Sequence, residues 1–279
     1  MILKSKVIPN PVLFEDKLRL ILPFREKESE LQLKRILNSV DSEDFLTWSI
    51  FRPLMDIKPL SKWLFPFFRK GLKNWKVFEE KDLNEAVLKF WYGRRSKEYY
   101  PPKEHDEWLR NRLEHSEVLR FRERAKIGKR LEGPTEVDLV IETPKILTFI
   151  EAKYTADIDC KTSYDPYRDQ ITRNLDVGSF QAEKGGKRFF FILLTPEYYE
   201  RSRLFWYRMQ ECMKDPDRIK ERIPYRSINF EELSKNIGWV LWRDVIEIWK
   251  ANEDGFRLSG DDREKVPLIF RHFEEAGLV

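Results

Sequence analysis

This chain has few of the residues that most often announce a function. Two cysteines, Cys160 and Cys212, among 279 residues are too few for a disulfide framework and have no neighbours at zinc-ligand spacing. Two free, buried thiols in a reducing compartment are expected instead. Three histidines, His105, His115 and His272, are scattered and form neither a metal triad nor a nucleophile–base pair, which argues against a histidine-based hydrolase. No segment approaches the run of about 18 uncharged apolar residues that a membrane-spanning helix needs. The stretch MILKSKVIPNPVLFEDK is interrupted by Lys and Pro before the apolar core of a signal peptide develops, so a soluble, cytoplasmic protein is expected. Repeats, low-complexity tracts and a convincing linker are missing too, which favours one integrated domain.

Aromatic and charged residues, by contrast, are plentiful. With 41% apolar residues, including 20 Phe, 10 Tyr and 9 Trp, the chain can build a substantial core and does not read as disordered. The net charge of +4 is the small remainder of 52 basic against 48 acidic side chains. It permits an anionic partner without demanding one, so local patches have to carry that argument.

Periodicity and breakers divide the chain into an N-terminal helical extension (1–80), a central α/β segment (81–200) and a C-terminal helical segment packed on it (201–279). Ser42 is a good N-cap for a helix in SEDFLTWSIFRPLM, followed by two acids at the positive end of its dipole. The aromatic-rich LSKWLFPFFRKGLKNWKVF is expected to be halted by Pro66 and Gly71. KDLNEAVLKFWYG reads as a helix because Leu83, Ala86, Val87 and Phe90 follow the helical period, and EHDEWLRNRLEHS reads as another. EVLRFRER alternates and reads as an edge strand with Arg120, Arg122 and Arg124 on one face. Asp165 as N-cap and Pro166 at N1 start a helix through DPYRDQITRNLDVGSF. KRFFFILLTP reads as a strand buried on both faces, and RSRLFWYRMQECMK and SKNIGWVLWRDVIEIWK read as helices. This order predicts an α/β layer with a mixed sheet flanked by helices.

The informative stretch is EVDLVIETPKILTFIEAKY, residues 136–154. Two apolar runs meet at a Thr-Pro-Lys turn, yet each carries charge where a buried strand should have none. Glu136, Asp138 and Val140 share one strand face, as do Leu147, Phe149, Glu151 and Lys153 on the next strand. A hairpin closing symmetrically about Thr143 and Pro144 would pair Ile141 with Ile146, Asp138 with Phe149 and Glu136 with Glu151. The charges then converge at one end of one face. Directly opposed carboxylates are destabilising unless a cation lies between them, so this cluster is a poor core and a good cage for a hard divalent ion.

Asp138, twelve further residues and then Glu151-Ala152-Lys153, set in apolar strands, resemble the PD-(D/E)XK nuclease superfamily with its restriction-endonuclease-like fold. Val137 stands where the motif has Pro. The resemblance covers roughly residues 80–196. It implies that Asp138, Glu151 and the carbonyl of Ala152 bind Mg²⁺ or Mn²⁺ and that Lys153 assists the attacking water. Many members add an acid from the helix preceding the sheet. Glu85 is the first choice here, although Asp82 and Glu85 also have capping-box spacing, and Glu43 is second. Gln170 falls where some members place a residue facing the metal, and Asn174 shares its helical face, although both also fit a solvated surface. Glu136 is either a strand-end charge or a supporting group near the metal. The implied activity is DNA hydrolysis, with an RNase or a non-catalytic nucleic-acid-binding protein as alternatives. Arg122, Lys126, Lys129 and Arg130 in RFRERAKIGKRLEG are the expected contacts to the phosphate backbone. A double-strand break made with one site per chain would favour a homodimer.

Overall fold

The computed structural model describes residues 12–13, 18, 42–93, 98–126, 130–162, 165–196 and 203–278. Ser42 opens helix α1 (Glu43–Leu54), its hydroxyl oxygen accepting the Phe45 amide at 3.1 Å. Every residue from Phe45 to Leu54 is buried, so α1 is a core helix. Helix α2 (Ser61–Gly71) runs through Pro66 rather than stopping there, carried by the burial of Trp63, Leu64, Phe67 and Phe68. Gly71 ends it against the sheet, where an added Cβ would come within 2.3 Å of Val240.

Three stretches depart from the expected elements. KDLNEAVLKFWYG is not one helix but a short α3 (Glu80–Asn84) followed by strand β1 (Val87–Tyr92). Its apolar spacing fits both periods, and pairing with the next strand decides the outcome. EVLRFRER is helical: after α4 (Lys103–Glu114), helix α5 (Leu119–Ala125) buries Phe121 and Ala125, four residues apart, against Leu109, Leu113 and Leu131. This helical hairpin thus carries a small core of its own.

Strands β2 (Val137–Glu142) and β3 (Ile146–Ala152) form the expected hairpin in a register displaced by two residues. Ile141 lies opposite Thr148 and Val140 opposite Phe149. The loop closes on Pro144 and Lys145. Thr143 donates its amide to the Ile146 carbonyl at 2.8 Å, and its hydroxyl accepts the Ile146 amide at 3.0 Å. Helix α6 (Gln170–Lys184) then starts at Asp169, whose carboxylate accepts the Thr172 amide at 2.8 Å. The expected cap, Asp165, is instead buried 3.0 Å from His105.

Strand β4 (Arg188–Thr195) is followed by α7 (Leu204–Lys214), α8 (Pro216–Arg222) and α9 (Phe230–Lys235). The third departure is SKNIGWVLWRDVIEIWK, which splits into the end of α9, strand β5 (Ile237–Leu241) and helix α10 (Trp242–Lys250). A Cβ at Gly238 would meet the Gly71 carbonyl at 2.8 Å, so only glycine lets this strand lie against α2. Helix α11 (Gly260–Glu275) completes the described elements.

The five strands lie side by side in chain order, antiparallel from β1 to β3 and parallel from β3 to β5. The result is a mixed α/β layer structure. Alternation along β4 sends Phe190, Ile192 and Leu194 to one face, where α1, α2, α10 and α11 from both ends of the described chain pack together. Phe189, Phe191 and Leu193 point to the other face, under α6, α7 and α9. Among the described residues no helix is long and apolar enough to cross a membrane. Cys212 is buried as expected, but Cys160 is exposed.

Candidate active site

Carried one residue beyond the Leu139–Ile150 pair, the hairpin register places Asp138 directly across from Glu151. Alternation puts both on the face shared by Val140 and Phe149, at the C-terminal end of β3. The parallel strands β4 and β5 end on the same side, so the acids sit at the sheet edge where open α/β folds form their ligand crevices.

Asp138 Oδ2 accepts the Ala152 amide at 2.8 Å, which ties the first acid to the backbone beside the second. Glu151 is 1% exposed. Its carboxylate accepts from Lys153 Nζ at 2.9 Å, from Asn174 Nδ2 at 2.8 Å and from Gln170 Nε2. Gln170 and Asn174 stand one turn apart on α6, so both reach the same carboxylate. Gly178 allows this helix to ride close on the sheet, since a Cβ there would lie 2.1 Å from Phe189 and 3.0 Å from Phe149.

Lys153 follows β3 and is fixed at its backbone. Its amide donates to the Leu194 carbonyl at 2.8 Å, and its carbonyl accepts the Trp242 indole N–H at 2.8 Å. The ammonium lies 3.6 Å from Glu43 Oε2 as well as against Glu151. Glu43, in the first turn of α1, also accepts the Tyr154 amide through Oε1 at 2.9 Å. The capping turn of the first helix therefore delivers a third acid. Next to it, Asp44 Oδ1 accepts the Trp91 indole N–H at 2.6 Å.

Trp91 has a positive φ of 45°, in the left-handed region that a bulky residue rarely occupies. It lies between the Phe90–Leu139 and Tyr92–Val137 pairs and so faces Asp138 in sequence register. Its indole nevertheless packs with Trp48 and Phe90 on the α1 side of the sheet. The inverted backbone takes a large ring away from the face that holds Asp138.

Negative charge exceeds positive charge here. Burial first, and then the Glu151 carboxylate, push the Asp138 carboxyl well above the usual carboxylate range against the pull of Lys153. Burial also raises Glu43, more than Lys153 and the Tyr154 amide lower it. For Lys153, burial favours the neutral amine, but Glu151, Glu43 and Asp138 together outweigh it and hold the ammonium charged. A hard divalent cation suits such a donor set: carboxylate oxygens of Asp138, Glu151 and Glu43 and the Ala152 carbonyl, with one cationic side chain among them. Among the described residues no three His, Cys, Asp or Glu side chains already stand at metal-caging distance. Glu151 is turned onto Lys153, Gln170 and Asn174.

The remaining sequence candidates lie elsewhere. Glu85 is an exposed C-cap of α3 beside Val87, which pairs with Glu142 at the turn end of β2, remote from Asp138. It follows α3 into an edge strand and does not lie on a helix over the site. Glu136 is half-buried just before β2. Arg122 is exposed on α5, and Lys126 pairs with Glu123 at 3.3 Å. The Arg130 guanidinium stacks 4.6 Å from the Tyr100 ring and donates to the Pro101 carbonyl. Lys129 lies outside the described residues. The cations that do border the site are Arg120, Lys161 and Arg173, around a hollow that includes Gln170. Arg173 lies three residues after Gln170 on the same helix, a spacing that could have revealed it. Lys161 carries no such signal.

Set against protein-family models, curated proteins and solved structures, the chain finds no match in any of the three.

Proposed function

We propose that this protein is a divalent-metal-dependent nuclease that hydrolyses phosphodiester bonds of DNA on a PD-(D/E)XK, restriction-endonuclease-like core. The reading rests chiefly on one observation: just past the last pair of the β2–β3 hairpin, Asp138 is bound to the Ala152 amide next to Glu151, with the Lys153 ammonium and Glu43 beside Glu151. The surrounding order supports it. A short helix, β1, the antiparallel β2–β3 pair, a helix and the parallel β4 come in the order the resemblance implies, with the α4–α5 hairpin inserted between β1 and β2.

Asp138, Glu151 and the Ala152 carbonyl would hold the metal, with Glu43 in place of Glu85 as the further acid. When bound, Mg²⁺ or Mn²⁺ would acidify a water and offset charge on the phosphoryl oxygens. Lys153 is held as an ammonium, so it serves as a hydrogen-bond donor and not as a base. It orients the nucleophilic water and stabilises charge that develops at phosphorus-bound oxygen. Gln170 and Asn174 fix the rotamer of Glu151, and the Ala152 amide fixes that of Asp138. The Trp242 indole anchors the carbonyl of Lys153, which keeps the ammonium over the acids.

The test incubates the purified protein with plasmid, single-stranded DNA and RNA in Mg²⁺, Mn²⁺ or EDTA, alongside Asp138→Ala and Lys153→Ala. Metal-dependent DNA cleavage lost in both variants is expected. Cleavage of RNA alone would select an RNase. Binding without cleavage by wild type and variants alike would select a binding protein, and cutting that survives both changes would move the active site elsewhere.

A further inference from the structure

Beside the acids, the first turns of α6 border a hollow of about 550 Å³. Its walls carry three cations, Arg120, Lys161 and Arg173, against one carboxylate, Asp159. Arg120 comes from the α4–α5 hairpin, which is itself docked firmly. Arg110 donates to the Ala125 carbonyl at 2.8 Å, the Asp106 carboxylate accepts the Leu131 amide at 3.1 Å, and Arg112 stacks on Tyr167 at 4.5 Å. The first contact ties α4 to α5, the second ties α4 to the loop before β2 and the third joins the hairpin to the loop before α6, so Arg120 stands on a braced wall.

Arg120 and Lys161 form no ion pair among the described residues, and their side chains are exposed to any ligand entering the hollow. Arg173 is more deeply set. Its Nη2 donates to the carbonyls of Gly133 at 3.2 Å and Pro134 at 3.1 Å, which aims the guanidinium, and Glu132 is 4.0 Å away. A concave site with this charge ratio favours an anion. Gln170 lines the hollow and also donates to Glu151, so an anion seated there is one side chain removed from the bond to be cut. In a nucleic-acid strand the anion at that remove from the scissile phosphate is the neighbouring phosphate.

We propose that Arg120, Lys161 and Arg173 form a phosphate subsite that seats the phosphate next to the one hydrolysed and so sets the strand's position over Asp138 and Glu151. This rests on the nuclease reading above for its role, but its binding can be measured without any cleavage. Fluorescent single-stranded and duplex DNA are titrated into the full-length protein in EDTA across a salt series, with Arg120→Ala, Lys161→Ala and, as a control, the exposed Lys81→Ala at the opposite end of the sheet. Each subsite variant is expected to weaken binding about tenfold and to reduce the slope of log K against log salt by about one, as loss of one phosphate contact does. Lys81→Ala should match wild type. Repeating the titration with 5′-phosphorylated and 5′-hydroxyl strands separates the source: an effect confined to phosphorylated strands assigns the subsite to a terminal phosphate, and an effect on both assigns it to an internal one. Wild-type affinity and salt slope in both subsite variants on every strand would overturn the proposal, even if the protein proves to be a nuclease. A slope change in a protein that cuts nothing would leave the subsite standing and remove the hydrolytic reading.

Discussion

Asp138→Asn should make the metal-free protein more stable while it abolishes activity. Opposed residues of an antiparallel pair place their Cβ atoms about 5 Å apart. Two ionised carboxylates at about that distance repel by about 3 kcal/mol at an effective dielectric constant of about 20. Lys153, 2.9 Å from Glu151, offsets part of this, so removing the Asp138 charge should relieve about 1–2 kcal/mol. Asparagine keeps an oxygen for the Ala152 amide, so the local hydrogen bond survives. For a chain of this size about 1 kcal/mol moves Tm by roughly 2–4 °C, and the variant in EDTA should melt a few degrees above wild type. At a manganese concentration about 100 times its Kd, wild type gains about 2.7 kcal/mol and the variant none, so the order of the two melting points reverses. pH gives an independent check in EDTA. The folded Asp138 carboxyl is raised above its unfolded range, so its contribution is most favourable at low pH and is lost as pH rises through the raised value. Wild type should therefore lose stability over that interval and the variant should lose less. Scanning calorimetry in EDTA and along a Mn²⁺ titration measures all three effects. A variant that melts below wild type without metal, or gains as much from Mn²⁺, would refute the reasoning.

Glu43→Gln should lower cleavage by about 10²-fold, while Glu85→Gln leaves it unchanged; equal effects in single-turnover assays would return the third acid to open choice. Gln170→Ala and Asn174→Ala should each cost 10–100-fold in metal affinity, read by calorimetric titration, because both hold Glu151. Gly178→Ala pushes a methyl into Phe189 and should destabilise by about 1–3 kcal/mol in urea melts. Because it lifts α6, its cleavage rate measured well below the melting transition should fall as well, and an unchanged rate would mean that α6 does not position Glu151.

The hairpin and its charges were legible because a strand has a strict period of two and the acids broke an otherwise apolar pattern. The register was read two residues off, since Pro144 alone does not say whether Thr143 or Lys145 shares the loop with it. A shift of two preserves the face, so Asp138, Glu151 and Lys153 still fell together. Short segments failed for a different reason. Leu83, Ala86, Val87 and Phe90 satisfy a helical spacing, but Leu88 and Phe90 bury on the sheet, and only the partner strand distinguishes the two. Reading one helix there put Glu85 ahead of Glu43 as the candidate third acid, although the structure sets Glu43 beside Lys153 and Glu85 at the far end of the sheet. In EVLRFRER the alternation of Arg imitated a strand, while the pair that mattered was Phe121 and Ala125. Arg120, Lys161 and Arg173 come from a helical hairpin, a loop and α6, and nothing local marks them as neighbours.

The layer beneath the acids is assembled from both ends of the described chain. Trp242 braces Lys153, the Ala276 carbonyl receives the Tyr154 hydroxyl at 3.0 Å, and Trp249 donates to the Ser49 carbonyl at 3.2 Å. A polypeptide halted after Leu241 would own every acid and yet lack the floor on which they stand. On the nuclease reading proposed above, the hydrolytic centre cannot assemble before Trp242 and the helices that follow it are in place; a fragment ending at Leu241 is expected to leave DNA uncut, and one that cut it would break that link.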